Sequence, residues 1–364
     1  MTLRTLDSRN GLTRHVVTST SDFDLDALAG LMEEAWASDY ADKIRIDFNK
    51  SHLHHMMEGG EWFALLICDD AGHPVGFEIA MERTLLCHGR PSKTFVVTAF
   101  TVSSKQRRRG IGRWLLEGIN QVAFEERDAK FLISSFHHGA AGSPTVQATF
   151  DQIEGSGVSR FHTFPSWGRR IDKQPLPPIE GDAAVARLHQ RDHETDWVAI
   201  SDNESGNKAS PPSVHAFTEA LSHRYEVAYS PTQSFREYYL RADSPEAGAL
   251  WYDFGDGATC FVSYALTPLI VNQRPLRPTG LIQAVHAENC QPIHLEQLLV
   301  RLAHRFLAQG CFAITLYDLG IFPHDVLRKV GLQSDDQFDY AIRGPVEAIE
   351  QFSRVEVPFF LDFT

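Results

Sequence analysis

The sequence has few of the features that mark a membrane protein or a disulfide-rich secreted protein. Hydrophobic residues make up 43% of its 364 residues, yet no apolar run is long enough to cross a bilayer. Residues 1–15 contain no apolar segment of the kind that opens a signal peptide. The five cysteines are scattered, without metal-binding or redox spacing, at Cys68, Cys87, Cys260, Cys290 and Cys311. This usage predicts reduced thiols and a cytoplasmic protein.

Positive charge is also in short supply. The chain carries 34 lysines and arginines against 47 aspartates and glutamates, which gives a formal net charge of -13. A surface this acidic argues against nucleic acid and anionic membranes as partners, although it leaves room for a local basic site. The length is too great for one ordinary core and suits two domains. The sequence does not define an oligomeric state.

The apolar periodicity predicts alternating helices and strands. In the first half we predict helices over 22–40, 50–59, 110–128 and 144–155, and strands over 62–70, 74–86, 93–102, 130–136 and 159–164. In the second half we predict strands over 248–256, 258–271, 280–288, 312–319 and 337–344, and helices over 293–310 and 323–331. This order predicts an α/β fold with a mixed, partly antiparallel central sheet flanked by helices.

A proline-rich stretch at residues 172–182 is typical of a linker, because its prolines favour an extended chain. We therefore predict a first domain over 1–173, a linker over 174–182 and a second domain over 183–364.

The two halves are predicted to be two copies of one fold. A constant shift of 183 residues places Val102 on Val285 and the pair Leu115 and Leu116 on Leu298 and Leu299. Any two strand–helix–strand units could align this well, but the order of the elements also agrees, which favours an internal repeat.

One loop concentrates positive charge against the overall trend. The stretch "AFTVSSKQRRRGIGRWLLEGI" at residues 99–119 places Gly110 and Gly112 between an apolar strand and an apolar helix. The first turn of a helix leaves backbone N–H groups without partners, and glycines let an anion approach them closely. We therefore predict a pyrophosphate-sized ligand. The alternative is a turn with tight helix–sheet packing and solvated arginines. No Gly-Lys-Ser/Thr of a P-loop follows, and the dinucleotide fingerprint lacks its third glycine.

The loop resembles the acyl-coenzyme A motif of the GCN5-related N-acetyltransferases, which reads Arg/Gln-x-x-Gly-x-Gly/Ala after a strand. Arg107, Gly110 and Gly112 fill its fixed positions. The resemblance implies the acyl-coenzyme A N-acyltransferase fold, with acetyl-coenzyme A or another acyl-coenzyme A as the donor. It also implies that the strand before the loop bonds the pantetheine arm. The implied coenzyme-binding residues are Phe100, Thr101, Val102, Arg107, Arg108, Arg109, Gly110, Ile111, Gly112 and Arg113.

The second copy departs from this motif. Ile293 and Leu295 replace the two glycines, and no arginine cluster is present. The resemblance therefore implies that only the first half holds the coenzyme, a tandem arrangement with one degenerate copy.

Transfer to an amine benefits from a general base and a general acid. Glu78 and Glu82 are the candidate bases, since they alternate with apolar residues on a strand expected beside the coenzyme, although two solvated strand residues would give the same pattern. The tyrosine that the family commonly uses as an acid is missing, and Phe150 sits near its place. His137, His138 and Ser143 are possible substitutes, of which we select His138; they could equally be plain loop residues.

The predicted reaction is N-acylation of a small-molecule amine by direct transfer. Two alternatives stay open: a longer acyl or an aminoacyl donor, and a coenzyme A binding module without turnover. His52 and His55 could share a helix face, but no third ligand is evident, so we predict no metal site.

Overall fold

The alternating apolar runs form eighteen strands in the part of the chain that the structure describes. The computed structural model describes residues 3–39, 44–58, 60–137, 157–190, 196–201, 209–231, 239–240, 247–271, 274–344, 349 and 360–361. The predicted helix over 144–155 lies outside these residues.

The described residues of the first half form eight strands and three α-helices. The strands are β1 (Arg4–Arg9), β2 (Leu12–Val17), β3 (Ile44–Ile46), β4 (Trp62–Asp69), β5 (Pro74–Cys87), β6 (Arg90–Val102), β7 (Phe131–His137) and β8 (Gly157–Arg170). The helices are α1 (Leu25–Asp39), α2 (Lys50–Glu58) and α3 (Ile111–Asn120), and α3 continues into a π-helical turn over Gln121–Glu126.

The second half contains ten strands and three helices among its described residues. The strands are β9 (Ala184–Gln190), β10 (Trp197–Ser201), β11 (Val227–Tyr229), β12 (Ala247–Asp253), β13 (Thr259–Thr267), β14 (Leu269–Val271), β15 (Arg274–Pro275), β16 (Thr279–Glu288), β17 (Ala313–Tyr317) and β18 (Gln333–Gly344). The helices are α4 (Val214–Arg224), α5 (Pro292–Ala308) and α6 (His324–Lys329).

One mixed sheet runs through both halves. Its strand order is β1-β2-β4-β5-β6-β7-β18-β8-β17-β16-β13-β12-β9-β10, and β11 pairs with the far end of β5. Strand β18 lies between β7 and β8 and is antiparallel to both. The predicted mixed α/β sheet is confirmed. The division at 174–182 stays a prediction, and the insertion of β18 shows that the first half is not a closed sheet by itself.

A β-hairpin opens the chain where the sequence analysis predicted no element. Strands β1 and β2 pair around Asn10 and Gly11, which have φ angles of 51° and 74°. An Asn-Gly pair with two positive φ angles is the turn that matches the twist of a two-residue hairpin. The hairpin extends the sheet beyond β4 and brings its turn toward the start of α3.

The internal repeat is visible in strand pairing as well as in element order. In each half an antiparallel pair (β5–β6, β13–β16) is followed by a helix and a strand parallel to the second member (β6–β7, β16–β17). Leu115 and Leu298 are both fully buried at equivalent positions of α3 and α5. Both antiparallel pairs also contain a β-bulge at the same place, at residues 99–100 of β6 and at Gln283 of β16.

The sheet of the first half is covered on both faces. Phe77, Ile79 and Met81 pack with α1 and α2, whereas Ala80 and neighbouring strand residues pack with α3. Each large apolar side chain buried in this way contributes about 1.5–3 kcal/mol. Because neither face of β5 is open to solvent, the carboxylate of Glu78 is carried into the interior.

Candidate functional site

The helix α3 begins without a side-chain cap. Gly110 is its N-cap residue, with a φ of 75°, and it has no side chain that could accept from the first amides of the helix. The first bond of the helix runs from the N–H of Trp114 to the Gly110 carbonyl (3.0 Å), so the N–H groups of residues 111–113 have no partner inside the helix. A Cβ at Gly110 would meet nothing closer than an Arg9 nitrogen at 3.9 Å. The position therefore needs glycine for its backbone angle, and an anion can approach it freely.

Gly112 has a different reason to be glycine. A Cβ there would lie 3.0 Å from the Phe100 ring and 3.8 Å from Val102. The first turn of α3 therefore packs directly against the end of β6, which brings the free amides close to the edge of that strand.

The arginines of the loop divide into two groups. Arg107 donates to the carbonyl of Ala35 (3.0 Å) and so ties the loop to α1, and Arg113 forms a surface ion pair one turn along its own helix (2.7 Å). Arg109 bonds within the loop. Arg108 is exposed with a φ of 63°, and it makes no hydrogen bond to another described residue. Arg108 is thus the cation best able to turn toward a ligand.

Arg9 adds a cation that the sequence analysis did not identify. It comes from the end of β1, donates to the Gly110 carbonyl (3.0 Å) and stacks 4.1 Å from the centre of the Trp114 ring. The Asn-Gly turn beside it is a hairpin signal that could have placed it here.

The edge of β6 is open beside this loop. Strand β6 pairs with β7 only from Thr94 to Val97, opposite Phe131 to Ser134. Beyond Val97 the two parallel strands separate, while β7 stays paired with β18. Residues 100–102 therefore present backbone groups that no described strand pairs on that side. An extended polar ligand can add to such an edge by main-chain hydrogen bonds.

The bulge in β6 lies opposite Glu78. On β5, Phe77 pairs with Thr101 of β6 and Ile79 pairs with Thr98. Two residues of β6, 99 and 100, therefore stand opposite the single residue Glu78. Ala99 in this bulge has a φ of 59°. The bulge turns the backbone of β6 at the point where β7 leaves it.

Glu78 is a buried carboxyl group, only 2% exposed. Burial raises its pKa to about 8, and the positive charge of Arg343 on β18 acts in the opposite direction. Burial lowers the pKa of Arg343 to about 10, and its guanidinium donates to Asn120 at the end of α3 (2.8 Å). The chain thus holds a carboxyl group that titrates near neutral pH beside the bulge.

The other two predicted catalytic residues are placed differently. Glu82 lies four residues after Glu78 on β5 and forms an ion pair with Lys93 at 3.1 Å. About a quarter of its side chain is exposed. It is therefore further than Glu78 from the bulge. His138 lies outside the described residues.

A cavity of about 260 Å³ lies between α1 and residues 45–49. Trp36 and Phe48 meet edge to face in its wall, with ring centres 4.9 Å apart. Its charged lining comprises Glu33, Asp47 and Arg45, and the last of these is paired with Glu33 at 2.6 Å. Trp36 also donates its indole N–H to the Thr101 hydroxyl (3.0 Å), which joins the cavity wall to β6.

The second half pairs with a strand in the wall of this cavity, and its helix α5 begins differently from α3. Strand β3, which carries Arg45, pairs with β14 of the second half. At the start of α5, the Gln291 side chain accepts from the backbone of His294, and the His294 ring bonds back to the N–H of Gln291. This reciprocal cap occupies the N–H of His294, and Pro292 at the first position of α5 has no N–H, so fewer backbone donors are available there than at the start of α3. The lack of a coenzyme site in the second half stays a prediction, which this capped helix start supports.

His52 and His55 are both buried on α2, and burial lowers the pKa of His52 to about 4. No group of three metal-ligating side chains occurs within the described residues, and no helix among them is long and apolar enough to span a bilayer.

Compared by sequence, the chain matches no family model, and no curated protein resembles it significantly. Its structure is more informative. A mixed sheet whose parallel strands separate beside the start of a helix is the acyl-coenzyme A N-acyltransferase fold, the fold of the GCN5-related N-acetyltransferases. Its strand–helix–strand unit is repeated in the second half, where the helix start lacks the glycines.

Among solved structures, the chain is similar to N-myristoyltransferase of Saccharomyces cerevisiae with bound myristoyl-coenzyme A. The TM-score is 0.65 at 11% identity, and the match covers 93% of this chain and 84% of that one. It is also similar to a glucosamine N-acetyltransferase region of a fungal multi-domain β-N-acetylglucosaminidase (TM-score 0.59, 13% identity, 92% of this chain and 39% of that one). A candidate acetyltransferase from Pyrococcus horikoshii matches with a TM-score of 0.55 at 11% identity, over 93% and 90% of the two chains. At these identities the likeness establishes the fold.

Proposed function

We propose that the chain is an acyl-coenzyme A dependent N-acyltransferase that transfers an acyl group directly to the amine of a small molecule. The observation that carries this proposal is the uncapped start of α3 at Gly110, which lies against the open edge of β6. The helix start would hold the pyrophosphate, with Arg108 and Arg9 beside it. The backbone of residues 100–102 would bond the pantetheine arm. The two features adjoin each other at the contact between Gly112 and Phe100.

The bulge of β6 is the proposed place of the thioester. There the amine nitrogen attacks the carbonyl carbon, the carbon–sulfur bond breaks, and coenzyme A leaves as its thiolate. A backbone N–H of the bulge would polarise the carbonyl. Glu78 is the proposed base that takes the amine proton, because the residue lies opposite the bulge in the strand register and burial raises its pKa to about 8. Glu82 is the second candidate base, and His138 is the proposed acid that protonates the thiolate.

The cavity beside α1 is the proposed acceptor site. With a volume of about 260 Å³, it lies just below the range that is usual for ligand pockets, roughly 300–1,000 Å³, which favours a small molecule. Two carboxylates, one of them paired with Arg45, and two aromatic rings favour a cationic amine. A cytoplasmic location is proposed from the cysteine usage.

Turnover tests this proposal directly. The protein is mixed with acetyl-coenzyme A and a panel of small amines, and acylated products are identified by mass spectrometry. Acylation of at least one small amine is expected, with Glu78→Gln lowering the rate. Coenzyme A binding without any acylated product would favour the non-catalytic binding module instead. Failure of every acyl-coenzyme A to bind would contradict the proposal.

A longer acyl donor is the second candidate function, and the structural likeness to an N-myristoyltransferase with bound myristoyl-coenzyme A favours it. The cavity would then receive the acyl chain instead of the acceptor. A donor series from acetyl to myristoyl separates the two readings. A rate that is highest for acetyl supports the first, and a rate that rises with chain length supports the second. An aminoacyl donor would be recognised by transfer from an aminoacylated carrier together with no transfer from any of these thioesters.

A further inference from the structure

Two cysteines that are distant in sequence meet in the second half. The sulfur atoms of Cys260 and Cys290 are 3.3 Å apart. Strands β13 and β16 are antiparallel, with Cys260 opposite Ala287. The chain then turns at Asn289, where φ is 53°, and returns Cys290 over the start of β13. This contact depends on strand register, so the spacing of cysteines along the sequence could not reveal it.

The environment of the pair makes the two thiols unequal. Cys260 is fully buried, whereas Cys290 is partly exposed. A hydrogen bond from Cys260 lowers the pKa of the Cys290 thiol, and the charge of Arg224 acts in the same direction. That shared hydrogen bond and burial raise the pKa of the Cys260 thiol. Cys290 is therefore the accessible sulfur with more thiolate character, and Cys260 lies directly behind it.

We propose that Cys260 and Cys290 form a redox modification site that closes a reversible disulfide, independently of the proposed acyl transfer. The oxidant is a low-molecular-weight disulfide. The Cys290 thiolate attacks one of its sulfur atoms, a Cys290 mixed disulfide forms, and one thiolate leaves. Cys260 then gives up its proton and attacks the Cys290 sulfur, so the protein disulfide forms and the second thiolate leaves. The protein loses two electrons and two protons, and the small disulfide gains them as two thiols.

The other cysteines provide the internal comparison. Cys68 is buried in a core of the first half, Cys87 is buried in an apolar cluster that both halves form, and Cys311 is fully buried beneath α5. These thiols are shielded from a small disulfide in the folded protein, so oxidation should stop after one cross-link.

The test is treatment of the folded protein with oxidised glutathione, followed by unfolding, alkylation and peptide mapping. The number of alkylated cysteines should fall from five to three, with one disulfide peptide that joins Cys260 to Cys290, and dithiothreitol should restore all five. Cys260→Ser should trap glutathione on Cys290, whereas Cys290→Ser should leave its remaining thiols free.

Five alkylated cysteines after treatment of the unmodified protein would overturn the proposal, as would a disulfide between any other pair. A lasting glutathione adduct on Cys290 of the unmodified protein would also overturn it. Mapping of the unmodified protein decides the question even if a variant fails to fold.

Discussion

Replacement of Gly110 by alanine separates coenzyme binding from backbone strain. Gly110 has a φ of 75°, and alanine in this left-handed region costs about 1–2 kcal/mol of stability. Gly310 is a matched control in the second half. Its φ is 83°, and a Cβ there would meet nothing within 4 Å, compared with a single Arg9 nitrogen at 3.9 Å from a Cβ at Gly110. The two variants should therefore lose similar stability, a few degrees in Tm at most.

Their affinities for coenzyme A should differ. At Gly110 the added methyl group stands where the proposed pyrophosphate approaches the free amides of α3. Loss of one charge-assisted hydrogen bond costs about 1.5–3 kcal/mol, which corresponds to a roughly 10- to 150-fold weaker Kd. Gly310→Ala should leave Kd unchanged.

Isothermal titration with acetyl-coenzyme A measures both affinities, and urea unfolding measures both stabilities. If Gly110→Ala and Gly310→Ala bind acetyl-coenzyme A equally well, the donor does not sit on the start of α3, and the reasoning about this loop is wrong. Equal stabilities are needed for the comparison, since a much larger loss at Gly110 would point to a role in folding.

Four further predictions concern single side chains. Arg9→Ala should weaken acetyl-coenzyme A binding several-fold and make the Kd depend less on salt, which titrations at two ionic strengths measure. If the salt dependence of the Kd is unchanged, Arg9 does not contact the coenzyme. Burial holds the pKa of Glu78 at about 8, so unmodified protein should lose stability as pH rises from about 4.5 to 8. In Glu78→Gln, the free energy of unfolding measured with urea should no longer contain this decrease. The same dependence of stability on pH in the variant and the unmodified protein would contradict the raised pKa of Glu78. Burial holds the pKa of His286 at about 4, so the free energy of unfolding should fall as pH drops from 6.5 toward 4. His286→Gln should make this fall shallower, and an equally steep fall in the variant would contradict the low pKa of His286. Gly280→Ala would place a Cβ 2.2 Å from the Phe306 ring and should cost about 1–3 kcal/mol without changing coenzyme affinity; weaker binding would show that the halves are coupled.

The sequence was informative where local chemistry decides the structure. The positive φ at Gly110 and the close contact at Gly112 follow from a motif that is contiguous in the chain. The long apolar runs likewise predicted β4, β6 and β16, because strands buried on both faces need little alternation. The constant shift between the halves extends even to the β-bulges, since both copies repeat the same strand–helix–strand unit.

Features that depend on contacts between distant segments could not be predicted in this way. Nothing in the local pattern of residues 337–344 indicates that they enter the sheet between β7 and β8. The burial of Glu78 beside Arg343 depends on that insertion and on cover from both sides of the sheet. The cavity at Arg45 depends on a strand pair between the halves. Arg9 is the exception, because the Asn-Gly pair that follows it is a local hairpin signal in the sequence.

A structure of the protein with bound acetyl-coenzyme A tests the central claim most directly. The account predicts pyrophosphate oxygens at about 2.7–3.2 Å from the backbone nitrogens of residues 111–113, with the pantetheine arm along residues 100–102. Coenzyme bound at the start of α5, or at any place away from Gly110, would contradict it.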